Sequence, residues 1–188
     1  MTASASDQLD ALDDVAAVLA TRPDRAALYN AVDAALQRLL GHRLFTLLAV
    51  LPGGAEVQRF WSSNAAAYPL TGRKRVGPTP WGEVVLKGMS PWLGNDAEAI
   101  RWAFADHELI ASLGLGACIN IPIVYRGHLL GTMNLLHAEH HFVPGDIAVA
   151  GRFAPYLASS FAEESASLGV EQGHPQAESK RDRASSAF

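Results

Sequence analysis

The chain has 188 residues, 49% of them hydrophobic, and a formal net charge of −4 from 15 Lys and Arg against 19 Asp and Glu. This length supports one well-buried core without a second domain, and since no basic run is longer than Arg73-Lys74-Arg75 we expect no nucleic-acid partner. The single cysteine excludes an internal disulfide framework, and no apolar run approaches the roughly 20 residues that span a bilayer.

The N-terminal stretch MTASASDQLDALDD lacks the basic start and the apolar core of a signal peptide, so we predict a cytoplasmic protein without a membrane partner. Apolar residues recur at helical spacing from Leu9 to Leu19 and again from Asp24 to Leu40. We interpret residues 1–23 as an N-terminal helix and linker. This helix either packs on the domain or pairs with its copy in a second chain.

Two strands are predicted next, at residues 43–51 and near Glu56–Ser62, and the Pro-Gly-Gly sequence at 52–54 is a turn that joins them. Such a pair is an antiparallel hairpin. It argues against a doubly wound parallel sheet, in which neighbouring strands are joined by long crossovers.

Residues 64–80 are predicted to form a loop. Its basic side chains are typical of a solvated rim, because no glycine-rich strand-to-helix turn is present to bind a phosphate. Thr79 can cap a short helix that has Pro80 at its first position and ends near Gly88. A short strand at Ser90–Leu93 is expected to follow.

Asn95 and Glu98 have the capping-box spacing of a helix that closes over one face of the sheet. Large aromatic residues are concentrated around these elements. They either fill the gap between loops and sheet as ordinary core or line a ligand pocket, where an indole N–H can fix a polar ligand. These residues are Trp61, Trp81, Trp92, Trp102 and Phe104.

Asp106 can cap a further short helix that Gly114 ends, and residues 117–125 then alternate as a buried strand. Arg126-Gly127-His128 is a hairpin-style reversal into a second strand, Leu129–Leu136.

The strand Leu129–Leu136 is apolar on both faces except for Thr132 and Asn134. This pattern indicates a central strand with one face on a core and the other on a partly polar cavity. Buried polar side chains need hydrogen-bond partners, which here are either neighbouring backbone groups or a bound ligand.

The run NIPIVYRGHLLGTMNLLH resembles the signature of GAF domains, which are small-molecule-binding sensor modules, with Pro122, Gly127, Gly131 and Asn134 at the matching positions. The resemblance covers about residues 24–165. It implies an α+β fold with a central antiparallel sheet, N- and C-terminal helices on one face, and a ligand-pocket region of short helices and loops on the other. It does not identify the ligand, because similar folds bind very different molecules.

The last helix is predicted to start at Pro144-Gly145-Asp146 and to be kinked or broken at Pro155, which removes a backbone hydrogen bond. Residues 169–188 have almost no apolar content and are predicted to be a disordered polar tail. We therefore assign residues 24–168 to the GAF-like domain.

Cys118 and His107 are the residues that an enzyme would use. A buried strand cysteine is most often a small apolar side chain, and thiolate chemistry would need a neighbouring cation or helix N-terminus. Some stand-alone GAF proteins reduce free methionine sulfoxide with several cysteines, whereas this chain has one, without a second thiol to resolve a sulfenic acid. Bilin attachment is also disfavoured, because Ile119 follows Cys118 where the resemblance would require histidine.

His137, Glu139 and His141 would share one side of an extended strand, as metal ligands can, but polar residues are expected at a strand end in any case. We therefore predict no metal site and no cofactor. His107 can act as a proton acceptor at a pocket mouth or simply occupy the first turn of a helix.

We predict a small-molecule-binding sensor domain that acts through a homodimer formed by the terminal helices or through a protein effector. Catalysis is left open, with binding favoured. The alternatives are a stand-alone enzyme performing thiol redox, acyl-transfer or isomerase chemistry, and a purely structural dimerisation module. The predicted ligand-binding residues are Trp61, Trp81, Asp96, Trp102, Phe104, His107, Cys118, Asn120, Thr132 and Asn134.

Overall fold

The computed structural model describes residues 3–70 and 73–170. The tail predicted at 169–188 therefore lies outside these residues, except for its first two positions, which end the last helix.

Six strands form one antiparallel sheet in the order β3-β2-β1-β6-β5-β4. The strands are β1 (Leu44–Val50), β2 (Glu56–Ser62), β3 (Lys74–Arg75), β4 (Trp92–Gly94), β5 (Ala117–Tyr125) and β6 (His128–His137). Hairpin turns join β1 to β2 and β5 to β6, as predicted, and the pairing of β1 with β6 in the centre of the sheet joins the two hairpins.

Six α-helices accompany the sheet within the described part of the chain: α1 (Ala5–Ala20), α2 (Arg25–Leu40), α3 (Ala97–Ala103), α4 (His107–Ser112), α5 (Pro144–Gly151) and α6 (Ala154–Val170). A further π-helical turn, Gly82–Lys87, is called the pocket helix below. Apolar side chains of α1, α2, α5 and α6 share the main core with one face of the central strands. The predicted α+β architecture, with the terminal helices on one face, is confirmed.

The N-terminal helix packs on its own domain, which is one of the two arrangements expected for it. Ala11 and Val15 of α1 are fully buried, and Asp14 forms an ion pair with Arg38 of α2 at 2.8 Å. Gln8 accepts a hydrogen bond from Arg152, which follows α5. α1 is therefore held against α2 and the C-terminal helices.

Local signals placed some element boundaries correctly and others wrongly. Thr79 accepts from the Gly82 N–H at 3.0 Å and so caps the helical residues 80 and 81 that lead into the pocket helix, as predicted. In contrast, Asp96 rather than Asn95 caps α3, accepting from the Ala99 N–H at 2.8 Å. The Asn95 amide instead donates to the backbone oxygen of Phe142 at 2.9 Å.

Pro155 coincides with the predicted break. α5 ends at Gly151 and α6 begins at Ala154, so Pro155 lies in the first turn of α6, where its missing N–H would have no helical partner anyway.

The short strand β3 was missed, since it lies within the predicted loop at 64–80. Among residues 3–70 and 73–170, no helix has the combined length and apolarity required to cross a bilayer.

Candidate functional site

A cavity of about 200 Å³ lies on the face of the sheet opposite the four packed helices. Its floor consists of alternate side chains of the central strands, including Thr46, Leu48, Cys118, Asn120 and Asn134. Their neighbours in sequence point to the main core instead, because successive strand side chains alternate between faces. The pocket helix, the segment at 75–79 and the turn between α3 and α4 form the walls.

Polar side chains cross the cavity floor in a continuous hydrogen-bonded chain. The Trp81 indole N–H donates to Asn120 Oδ1 at 3.0 Å, and Asn120 Nδ2 donates to Asn134 Oδ1 at 2.5 Å. Asn134 Nδ2 donates in turn to Thr46 Oγ1 at 3.1 Å. Sheet pairing explains the alignment, since Asn134 lies directly opposite both Asn120 on β5 and Thr46 on β1.

The charged residues of the cavity lining are Arg59, Asp106 and the exposed Arg75. Arg59 of β2 is buried, its Nη1 donates to the Pro69 backbone oxygen at 2.8 Å, and its guanidinium lies 3.8 Å above the Tyr68 ring. The Tyr68 hydroxyl donates to Asp106 Oδ2 at 2.9 Å. Burial raises the pKa of Tyr68, so this hydroxyl stays protonated and remains a donor.

Asp106 occupies the N-cap position of α4, as predicted, but its side chain makes no capping hydrogen bond. The carboxylate is turned towards Tyr68 and the cavity instead. An Asp at this position normally accepts from the first helical N–H groups. Asp106 therefore contributes to the cavity wall and not to the capping of α4. Such departures from local preference are expected at functional sites.

Cys118 lines the cavity floor but is fully buried. Burial raises the pKa of its thiol, which opposes formation of the nucleophilic thiolate. The apolar residues beside it include Tyr68, Ile110 and Leu136, which form a second, smaller core cluster. The surroundings of the thiol are those of an inert core side chain.

Thr132 belongs to the same strand as Asn134 and is two residues away from it, but it does not line the cavity. Its side chain is fully buried, and its hydroxyl has no hydrogen-bond partner in the described part of the chain. The expectation that Thr132 contacts the pocket is therefore wrong for this structure.

Five of the predicted ligand-binding residues line the cavity, and the others do not. Those that line it are Trp81, Phe104, Cys118, Asn120 and Asn134. Asp96 is occupied as the cap of α3, and His107 Nδ1 contacts the Phe104 backbone oxygen at 3.1 Å outside the lining. Trp102 is 44% exposed and stacks on Trp92, with ring centroids 5.8 Å apart.

Trp61 was also placed wrongly, and a β-bulge explains why. Leu47 of β1 faces Trp61, whereas Leu48 faces Arg59, so the extra residue Phe60 interrupts the alternation. Trp61 consequently points to the main core, where the centroids of its ring and the Tyr29 ring are 5.2 Å apart. Without the bulge it would share a face with Arg59.

Sequence reasoning missed Arg59, Tyr68 and Asp106 as cavity residues. One signal for Arg59 was available. It lies two residues from Val57 in a strand and so shares a face with this apolar residue, and a charged side chain buried on such a face is normally paired with a polar group. Tyr68 and Asp106 are 38 positions apart, and no local pattern brings them together. In the basic loop, Arg75 is exposed, as predicted for a solvated rim, whereas Arg73 is half-buried and donates to the Leu168 backbone oxygen.

His137, Glu139 and His141 do not form the one-sided set considered for a metal. β6 ends at His137, and the following turn brings the His141 ring onto the His137 ring, with centroids 3.5 Å apart. Glu139 instead accepts from the Ala97 N–H at 2.6 Å. No cluster of metal-ligating side chains occurs among residues 3–70 and 73–170.

Comparison with known proteins agrees with this arrangement of sheet, helices and cavity. The family model for the GAF domain matches residues 23–162, so the chain belongs to the GAF domain family. GAF domains are generally small-molecule-binding sensor or regulatory domains. No curated protein matches the chain significantly.

Solved structures share the fold. The GAF domain of a phosphoenolpyruvate-protein phosphotransferase from Coxiella burnetii has a TM-score of 0.71 and 21% identity, covering 88% of this chain and 99% of that one. The corresponding domain from Acinetobacter has a TM-score of 0.65 and 12% identity over 86% and 96%. A type II free methionine-R-sulfoxide reductase from Thermoplasma acidophilum has a TM-score of 0.58 and 14% identity over 74% and 92%.

Proposed function

We propose that this domain binds a small molecule in the cavity above Asn120 and Asn134 and acts as a regulatory sensor in the cytoplasm. The observation that carries the proposal is the cavity over the hydrogen-bonded side chains of the sheet, which is lined mainly by aromatic and apolar residues together with a few charged ones. A concave apolar site with a few convergent polar groups is the usual form of a small-molecule site.

Contacts between the cavity walls and α6 support a route by which occupancy is transmitted. Arg73 lies two residues before Arg75 in the cavity lining and donates to the Leu168 backbone oxygen of α6. Ser165 of α6 donates to the Val50 backbone oxygen at the end of β1 at 2.9 Å. A ligand that shifts the walls would therefore also bias the position of α6, provided that its affinity differs between the two arrangements.

The terminal helices are the surface through which we expect the signal to leave the domain. α6 is joined to α2 by the ion pair of Glu164 with Arg25 at 3.0 Å. On the exposed side of α1, Leu9 is 61% accessible. We propose that a second copy of the chain or an effector protein contacts these helices.

The two alternatives have less support. An enzyme that uses Cys118 would need a thiolate, which burial opposes, and His107 lies outside the cavity lining. A purely structural module would be expected to fill this face of the sheet with side chains, whereas a cavity of about 200 Å³ remains there. Binding without chemistry is the function that this geometry supports best.

The proposal is tested by thermal unfolding with a panel of amino acids, sulfoxides, nucleotides, nitrate and aromatic acids. The wild type is compared with Leu48→Phe, which enlarges a cavity-lining side chain, and with Trp102→Ala, a control outside the cavity. We expect at least one compound to raise the Tm of the wild type and the control but not of Leu48→Phe, since a ligand that binds only the native state stabilises it. Equal responses in all three proteins, or none in any, would contradict the proposal.

A further inference from the structure

An arginine and a carboxylate lie side by side in the cavity wall without a hydrogen bond between them. Arg59 Nη2 and Asp106 Oδ2 are 3.9 Å apart, and their side chains are only 10% and 28% exposed. This separation is beyond hydrogen-bond range, although the two charges still attract. Each group therefore retains hydrogen-bonding capacity towards the cavity that both of them line.

Arg59 is held rigidly while part of its guanidinium remains unused. Nη1 donates to the Pro69 backbone oxygen, and the guanidinium plane rests on the Tyr68 ring. Among the described residues no hydrogen bond from Nη2 is formed, and the Asp106 oxygen lies 3.9 Å from it. A fixed, buried guanidinium with open donors is suited to a carboxylate.

Asp106 has the complementary property. Its Oδ2 accepts from the Tyr68 hydroxyl, and its side chain makes no capping bond to α4, so acceptor capacity of the carboxylate is left over. An ionised carboxylate accepts several hydrogen bonds. Its remaining oxygen lone pairs are suited to a ligand ammonium group.

We infer that the ligand is an α-amino acid with an apolar side chain. This inference rests on the proposed function and specifies the ligand of that same cavity. The α-carboxylate would bind Arg59 and the α-ammonium would bind Asp106, so that both charges of the zwitterion meet a fixed opposite charge. The Arg59–Asp106 pair and the zwitterion then have no net charge together. A ligand with only a carboxylate or only an amine would leave one net charge buried beside this pair, which is unfavourable.

The remainder of the cavity fits this assignment. Leu48, Val57, Phe104 and Leu136 supply an apolar lining next to the charged pair. The cavity volume of about 200 Å³ is of the size of a whole amino acid such as leucine or phenylalanine and is too small for a nucleotide. The third charged residue of the lining, Arg75, is exposed, so the buried part of the cavity offers no partner to a charged ligand side chain.

Matched ligands test the inference on the unaltered protein. Isothermal titration compares L-leucine with 4-methylpentanoate, which lacks the ammonium, and with 3-methylbutylamine, which lacks the carboxylate. L-Phenylalanine, 3-phenylpropanoate and 2-phenylethylamine form a second set. We expect at least one of the two amino acids to bind at least tenfold more tightly than both of its analogues. Equal or tighter binding of either analogue in both sets would overturn the inference.

Charge-removing variants then assign the two ends of the ligand. Arg59→Gln and Asp106→Asn are each expected to weaken binding of the amino acid tenfold or more; Arg101→Gln and Glu98→Gln, exposed positions on α3, serve as matched controls and should bind normally. Selectivity provides a second readout, since Asp106→Asn should weaken the amino acid more than its deaminated analogue. If both lose affinity equally, Asp106 does not contact the ammonium and the assignment fails.

The outcome separates this inference from the proposed function. If neither amino acid set binds but another panel compound stabilises the wild type and not Leu48→Phe, the cavity is a ligand site and the amino-acid assignment is wrong. If no compound in either experiment has an effect, both proposals are wrong.

Discussion

The indole N–H of Trp81 donates to Oδ1 of Asn120 at 3.0 Å and so joins the start of the pocket helix to the sheet beneath it. Trp81 is the outermost member of the chain of side chains that continues through Asn134 to Thr46. The wall and the floor of the cavity are therefore one connected polar network. We therefore expect a substitution at Trp81 to alter the hydrogen bonds of Asn120 and Asn134 as well.

Trp81→Phe should reduce the free energy of unfolding by about 1 kcal/mol, because the substitution removes one hydrogen bond and leaves the oxygen of the buried Asn120 without its donor. Urea unfolding monitored by circular dichroism measures this change. Trp102→Phe is the matched control, since Trp102 is largely exposed and outside the network. Equal losses in the two variants would show that the indole bond contributes nothing particular to this site.

Asn134→Leu should abolish ligand-induced stabilisation while leaving a folded domain. Asn134 is the central member of the network, and leucine removes both its donor and its acceptor while keeping a similar volume. The change in Tm with each panel compound is the measurement, with circular dichroism as the control for folding. A variant that still responds fully to the same compound would place Asn134 outside the site.

Cys118 should be unreactive in the native protein. The thiol is fully buried, and burial raises its pKa, so little thiolate is accessible. We expect labelling by a disulfide reagent to be slow in buffer and rapid in denaturant. Fast stoichiometric labelling of the folded protein would revive the thiol-enzyme alternative.

Gly131→Ala should destabilise the domain by about 2–4 kcal/mol. An added Cβ would lie 2.0 Å from the Leu48 backbone oxygen and 2.6 Å from the Phe161 ring, where the strand can give way only by moving β1 or α6. Gly145→Ala is the control, because nothing lies within 4 Å of its added Cβ. Denaturant unfolding should separate the two variants, and an unaffected Gly131→Ala protein would contradict the close packing described for β6.

Stability should fall as the pH is lowered from about 6.5 to about 4, in part through His137. Burial and the neighbouring charges of His141 and Arg43 lower the pKa of His137 from 6.5 to about 4 in the folded state. As the pH falls from about 6.5 to about 4, His137 takes up a proton in the unfolded chain but not in the folded domain, so the folded state loses stability. Above pH 6.5 the imidazole is neutral in both states, and this contribution no longer changes with pH. The contribution is about 1–3 kcal/mol.

The pH dependence is checked by urea unfolding of the wild type and His137→Gln between pH 4 and 8. The variant should lose part of the decline, whereas His128→Gln, in the exposed hairpin, should retain it. An identical decline in the wild type and in His137→Gln would assign the effect to other groups.

The sequence alone predicted five of the six strands and the polar floor because both depend on short-range periodicity. Strand alternation and the turn residues identified β5 and β6, and the same alternation put Asn120 and Asn134 on one face. Capping signals were accurate to about one residue, as the exchange of Asn95 for Asp96 at α3 shows.

The charged wall was not predictable in the same way. Arg59, Tyr68 and Asp106 come from a strand, a loop and a helix end, and only the packed fold brings them together. The bulge at Phe60 is a feature of strand pairing, so the alternation that placed the floor correctly misplaced Trp61. Aromatic type by itself did not separate the pocket residue Trp81 from the exposed Trp102.

The measurement that tests the central claim most directly is nuclear magnetic resonance of the side-chain amides of Asn120 and Asn134 during titration with each panel compound. If the cavity is a ligand site, a compound that raises the Tm will shift both amide pairs in a saturable way, and Leu48→Phe will abolish these shifts. A compound that stabilises the protein while both amide pairs stay unperturbed would place its site elsewhere and contradict the account.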